Sequence, residues 1–390
     1  MSLAVPTPAA TPVPVLQPAL SSVSTRRAVL HHRDPAMPER GHRARSVAAL
    51  AARLALLRGD GPVVTTAQPT APDREGPYVV PDSTLLTEDA HRLGIVGADD
   101  LYGGVVPSRF VAGKSITHPR LDADAACPAG WSDGFAADVM PHALGGFSAF
   151  TVKDAQAAAH RLLIRGPVRL KPAWADGGHE QVVASDERGV ARALAELDSG
   201  CLAECGLVLE EDLSDVLTFS VGRVDVGALR IAYVGTQRMT TNNTGGPAYG
   251  GSRLYVVRGG FAELAAAPLP DALHRAAGHA RAYDEAADRH YPGFFASRRN
   301  YDVVLGRDAR GRSRAGVLEQ SWRIGGASGA EIVALKALND PGLRSVVAAC
   351  HEAYGPAANP PPEADIYYHA DDPEVGYLTK YAFIESRTHA

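Results

Sequence analysis

Two short apolar stretches in the C-terminal third of the chain, each carrying an acid, predict strands. They read Asn300-Tyr301-Asp302-Val303-Val304-Leu305 and Gly316-Val317-Leu318-Glu319-Gln320-Ser321-Trp322-Arg323. The polar, Gly-containing stretch 306–313 between them has the composition of a hairpin turn. Side chains on a strand alternate faces, so Glu319, Ser321 and Arg323 share one face, which Asp302 joins in a suitable register. The plain alternative is a surface hairpin with solvated acids.

The middle of the chain is punctuated by caps and turns. Thr151-Val152-Lys153-Asp154 has the form of a capping box and predicts a helix through about Leu163. The strand Val168-Arg169-Leu170-Lys171 follows, broken by Pro172, and Asp176-Gly177-Gly178 supplies a turn before Gln181-Val182-Val183. Ser185 and Asp186 cap a helix with Val190, Ala193, Leu194 and Leu197 at helical spacing. The strand Gly206–Glu210 then ends at Glu211-Asp212-Leu213. Further on, Tyr249-Gly250-Gly251-Ser252-Arg253 reads as a Gly-rich loop between strands. Pro270 begins a long helix ending near Tyr291, Ser328 with Glu331 makes a second capping box, and Asp340-Pro341 starts a last helix. The class is α+β with substantial antiparallel sheet.

Ahead of this, Ala28–His31 predicts a strand, roughly 39–58 a helix and Gly61–Thr65 another strand. Residues 25–113 therefore read as a small N-terminal α/β domain, and 114–386 as a second, larger one. Residues 1–24 carry no charge and are rich in Pro and Ala, the composition of a disordered tail.

Composition narrows the function classes. A chain of 390 residues with 45% hydrophobic and 21% charged content is ordinary for a globular protein with more than one core. A net charge of −5 argues against nucleic acid as the main partner. The four cysteines are scattered, with no zinc spacing. No apolar run is long enough for a membrane span, and Ser24-Thr25-Arg26-Arg27 lacks the apolar stretch of a signal peptide, so a cytoplasmic location is expected. Gly113-Lys114-Ser115 looks like the tail of a phosphate-binding loop, but Ser108 stands where its opening Gly belongs.

Four features then line up in order. Lys171, on a strand and followed by the turn at Gly177 and Gly178, suits a phosphate. The strand end Glu210 to Leu213 suits an adenine edge and ribose hydroxyls. Asp302 with Glu319 suits Mg²⁺ held against phosphate oxygens, and Arg323 lies beyond. This arrangement resembles the ATP-grasp superfamily over roughly residues 114–385. Val168-Arg169-Leu170-Lys171-Pro172 through Gly178 looks like its lysine strand and glycine-rich lid, and Leu207 to Leu213 like its hinge. Glu319-Gln320-Ser321-Trp322-Arg323 resembles its Glu-x-Asn-x-Arg, with Ser321 where Asn is usual. The run 317–327 most resembles an uncharacterised bacterial subfamily of unknown function.

The resemblance implies an ATP-grasp fold, two α+β subdomains clasping ATP, behind the N-terminal α/β domain. It implies a ligase that joins a small-molecule carboxylate to an amine or another nucleophile through an acylphosphate, using ATP and Mg²⁺. Lys171 and Arg323 would be catalytic; Lys114, Lys171, Gly177, Gly178, Glu210, Glu211 and Leu213 would hold the nucleotide; Asp302, Glu319 and Ser321 would hold the metal. The Gly-rich loop at 249–253 would close over substrate, with Arg238, Arg258, Arg298 or Arg299 clamping an anion. The alternative is a non-catalytic ATP-binding regulator with the same fold.

Overall fold

The computed structural model describes residues 26–32, 41–65, 76–173 and 181–389. The predicted tail 1–24 and the turn carrying Gly177 and Gly178 lie outside them. The first segment holds β1 (Ala28–His31), α1 (His42–Arg58), β2 (Val64–Thr65), β3 (Tyr78–Pro81), β4 (Leu85–Leu86), α2 (Thr87–Arg92) and β5 (Gly104–Val106). Next come α3 (Asp133–Val139), β6 (Gly146–Ala149), α4 (Val152–Leu163), β7 (Val168–Pro172), β8 (Val182–Ala184), α5 (Glu187–Ala195), α6 (Ser199–Cys205) and β9 (Leu207–Glu211). Three long strands follow, β10 (Ser214–Val226), β11 (Leu229–Thr241) and β12 (Pro247–Arg258), then α7 (Phe261–Ala265), α8 (Asp271–His290) and β13 (Phe295–Ala296). The chain closes with β14 (Arg298–Arg307), β15 (Ser313–Ser321), α9 (Ser328–Leu338), β16 (Leu343–Tyr354), β17 (Asp365–Asp372) and β18 (Gly376–His389).

Among the described residues the strands form four sheets. The dominant one has the order β15-β14-β10-β11-β12-β16-β18-β17 and is antiparallel at every described pairing. A smaller antiparallel sheet runs β6-β9-β7-β8. One face of it packs against α4 and α5 through Leu162, Leu170, Val190, Leu194 and Leu209. The remaining two are the parallel β2-β1-β3 and the mixed β13-β5-β4, so a strand from beyond α8 joins the first segment. This is the expected α+β class, a small helix-backed sheet and a large antiparallel one.

The large sheet is covered on both sides. Phe219 and Val221 of β10 pack in the core beneath α8, while Val224 and Val226 belong to the core shared with α1 and α9. Alternation along one strand thus feeds two cores. Small side chains let α8 lie close, with Ala276, Ala277, Ala280, Ala286 and Ala287 buried. Its buried Asp284 accepts hydrogen bonds from Arg223, Arg299 and Tyr301, which locks the helix to β10 and β14.

Three expectations are corrected. The Asp340-Pro341 helix does not form, because Val346, Ala348 and Cys350 alternate into the core and make β16 a central strand between β12 and β18. Tyr249 to Arg253 is part of β12 rather than a loop; a bulge between Arg238 and Met239 of its neighbour absorbs the extra glycine. Ser328 and Glu331 make no capping box. Ser328 already lies inside α9 and accepts from the Gly325 N–H at 3.0 Å.

Glu331 instead turns into the protein, fully buried, against the equally buried Arg298 of β14. Arg298 Nη2 lies 2.7 Å and Nε 3.0 Å from its carboxylate oxygens, and the hydroxyls of Tyr102 and Tyr233 donate to the same group. Removing one partner of a buried pair leaves an uncompensated charge, so Glu331→Ala is expected to cost about 3–5 kcal/mol. Urea denaturation measures it. A loss below about 1 kcal/mol, the size of an exposed ion pair, would show that Arg298 finds another counter-charge.

Candidate functional site

The clasp-facing side of the small sheet is set by strand alternation. Leu170 and Leu209 point at the helices, so their neighbours Lys171 and Glu210 point away from them. Lys171 Nζ lies 2.9 Å from Glu210 Oε1, and His118 Nε2 lies 3.1 Å from Glu210 Oε2. All three are buried. The imidazole fits only because β6 begins with glycine. A Cβ on Gly146 would sit 2.8 Å from His118 Nδ1. Sequence reasoning missed His118, whose neighbours carry no spacing signal. Burial alone would raise the Glu210 carboxyl, but Lys171 and His118 outweigh it and bring it down to about 2.

Opposite lies the hairpin of β14 and β15. Asp302 and Glu319 are direct cross-strand partners, and a bulge just beyond them pairs Val303 with Val317, leaving Leu318 as the extra residue. Asp302 Oδ1 accepts from Gln237 Nε2 at 2.8 Å and Asn300 Nδ2 at 3.2 Å. Asn300 is itself held by Ser220 Oγ at 2.8 Å. Burial first, and the charge of Glu319 second, push the Asp302 carboxyl up to about 6.

Part of that charge is met by Lys114, buried on the turn Lys114–Thr117, whose Nζ lies 3.0 Å from Glu319 Oε2. Gln320, pointing the other way on β15, fixes the approach of that turn by donating to the carbonyls of Val111 at 2.9 Å and Gly113 at 2.6 Å. Alternation along two residues of β15 therefore places a carboxylate in the cleft and anchors the loop that delivers its lysine. Ser321 and Arg323 follow on the same strand end. Arg298 Nη1 donates to the Ser321 carbonyl at 2.9 Å and to the Arg323 carbonyl, and Arg323 Nη1 donates to the Ile324 carbonyl at 3.1 Å.

Other predicted residues stand elsewhere. Glu211 follows the alternation of β9 to the helix side, where Arg314 and the Gly145 N–H hold its carboxylate, so only its backbone faces the hinge. Leu213 packs at the β9–β10 bend beside Gly306. The four arginines expected to clamp an anion each have partners within the protein. Arg258 donates to the carbonyls of Leu338 and Asp340, Arg298 is bound to Glu331, Arg299 to Asp284 and Asp288, and Arg238 to the Gly250 carbonyl. Among the described residues no group of three or more His, Cys, Asp or Glu side chains could enclose a metal, and no helix is long and apolar enough to cross a membrane.

The Glu210 cluster has a pH signature. A carboxyl with a lowered folded pKa stabilises the fold above its unfolded value, 4.5, and loses that contribution as pH falls towards about 2. The stability gap between the natural chain and Glu210→Gln should be on the order of 3 kcal/mol at neutral pH and close through this window. Chemical denaturation at stepped pH reads it. A gap that stays constant down to pH 2 would contradict the buried ion pair.

Several solved structures are similar to the chain at low identity. An N5-carboxyaminoimidazole synthase from Aspergillus clavatus, in complex with ADP and an aminoimidazole ribonucleotide, is 14% identical over 92% of this chain and 94% of that one, with a TM-score of 0.48. D-alanyl-alanine synthetase A from Vibrio cholerae is 12% identical over 81% of this chain and 94% of that one, with a TM-score of 0.48. The biotin carboxylase domain of a Hydrogenobacter thermophilus 2-oxoglutarate carboxylase, bound to MgADP and bicarbonate, is 12% identical with a TM-score of 0.42; the match spans 65% of each chain. No curated protein sequence matches the chain. Residues 29–382 match the model of the family described as protein of unknown function, DUF3182, and the chain belongs to that family.

Proposed function

We propose that the chain binds ATP with Mg²⁺ and joins a small-molecule carboxylate to an amine or another nucleophile through an acylphosphate. One observation carries this reading. Lys114 pairs with Glu319 of the hairpin, where Asp302 is its cross-strand partner, and His118, four residues on, meets the Glu210 that pairs with Lys171, so one short segment links both sets of charges. Such an assembly costs desolvation energy, which a purely structural hairpin has no need to meet.

The residues fit the metal. Two hard carboxylates face each other, and both hydrogen bonds to Asp302 fall on Oδ1. With no third acidic side chain, phosphate oxygens and water would complete the shell, as Mg²⁺ prefers. Bound there, Mg²⁺ would neutralise charge on the phosphates. Lys171 and Lys114 would add positive charge from either side, and the backbone of Glu210 to Leu213 would meet the base. Arg323 would hold the transferring phosphoryl or the acyl group. The attacking carboxylate then gains the γ-phosphoryl, ADP leaves, and the nucleophile displaces phosphate from the acyl carbon. In such transfers the protein mainly positions groups and stabilises charge.

The non-catalytic reading is favoured by Ser321, whose short hydroxyl stands in place of an amide, 3.4 Å from Arg298 Nη1. Phosphate release in a screen of carboxylates and amines separates the two readings.

Binding at one hundred times the dissociation constant should raise stability by about 2.7 kcal/mol, visible as a melting shift with MgATP. A silent scan with silent calorimetry would remove the nucleotide. Lys171→Met should weaken ATP itself. Glu319→Gln should lower metal-dependent turnover at least about 100-fold with the fold retained by circular dichroism. Wild-type metal affinity and turnover in Glu319→Gln would make the hairpin structural.

A further inference from the structure

Behind the hinge lies a second cavity, about 380 Å³, at the scale of small-molecule sites. Its walls come from three places: the end of α4 and its connection to β7, the hinge residues Glu211 and Asp212, and the turn between β14 and β15. It opens on the α4 side, as Leu162 in its wall shows, whereas Lys171 and Glu210 face the other way. Gly166 and Ala309 close one edge; a Cβ on Gly166 would stand 2.6 Å from that of Ala309.

The charge balance of this cavity is uneven. Four arginines, Arg165, Arg310, Arg312 and Arg314, line it with three acids. The acids are all engaged. Asp308 accepts from the backbone N–H groups of Arg310 and Arg312, each at 2.9 Å, and from Arg312 Nε at 2.8 Å. Glu211 is held by Arg314 Nη2 at 2.6 Å, and Asp212 by Arg169 Nη2 at 2.6 Å. The guanidiniums of Arg165 and Arg310 remain, with no side-chain hydrogen bond or ion pair among the described residues. One follows α4 and the other lies on the hairpin turn.

We propose that this cavity is a second anion site, which takes a small phosphate-bearing molecule between Arg165 and Arg310. Planar guanidiniums pair two-pronged with carboxylate and phosphate alike, but a terminal phosphate offers three oxygens, so two guanidiniums can grip it at once. The walls belong to the hinge and to the hairpin that carries Asp302 and Glu319. An anion there therefore bridges the two halves of the clasp, and under the nucleotide reading it acts as an effector of closure. Binding at this site does not depend on that reading.

Calorimetry with inorganic pyrophosphate, without Mg²⁺, tests it on the full chain. The expected pattern is binding to the natural chain, at least tenfold weaker binding to the exposed double variant Arg165→Ala/Arg310→Ala, and affinity within twofold of the natural chain for Arg281→Ala, an exposed arginine of α8 outside the cavity. Citrate, a polycarboxylate of similar charge, should bind at least tenfold more weakly than pyrophosphate. No binding to the natural chain, unchanged affinity in the double variant, equal loss in Arg281→Ala, or citrate binding as tight as pyrophosphate would each overturn the proposal. Failure of MgATP to bind leaves these outcomes readable, because none of them uses nucleotide.

Discussion

Charge removed from water has to be met inside the protein, and that constraint organises this molecule. Three buried clusters do it: Lys171 with Glu210 and His118, Lys114 with Glu319, and Arg298 with Glu331. Each joins elements distant in sequence. The first ties the small sheet to the segment entering it, the second ties that segment to the hairpin, and the third ties the hairpin to α9. Hydrophobic burial beneath α8 and α9 supplies most of the driving force for folding, but it is non-directional. The ion pairs have geometry, and they fix how the sheets meet.

The lysines of these clusters already meet carboxylates inside the protein. Asp302 and Glu319 differ, because they face each other across the hairpin. Burial first, and the charge of Glu319 second, push the Asp302 carboxyl up to about 6. The Arg298–Glu331 pair bears on the same strand end, because Arg298 also binds the backbone carbonyls of Ser321 and Arg323.

The parts legible in the sequence were those with short-range signatures. The hairpin was readable from two short apolar stretches flanking a polar, Gly-containing turn, with an acid on each. Lys171 and the caps of α4 and α5 were readable from strand and N-cap chemistry, and the structure has Thr151 and Asp186 capping their helices. What failed did so for want of local information. Ser-x-x-Glu at Ser328 and Glu331 is the same string whether the acid caps a helix or turns to a buried arginine. Asp340-Pro341 resembles a helix start, and only the neighbouring strands show that β16 lies between them. His118 and Gln237 act through contacts with residues far away in sequence, and Glu211 differs from Glu210 only in which way the strand turns it.

The central claim is that the cleft between the two antiparallel sheets holds nucleotide phosphates against a metal. A crystal structure of the full chain with Mg²⁺ and a non-hydrolysable ATP analogue tests this most directly. The account predicts phosphate oxygens within hydrogen-bond distance of Lys171 and Lys114, and the metal bound by Asp302 and Glu319. An analogue bound elsewhere, or a metal that leaves both carboxylates untouched, would contradict it.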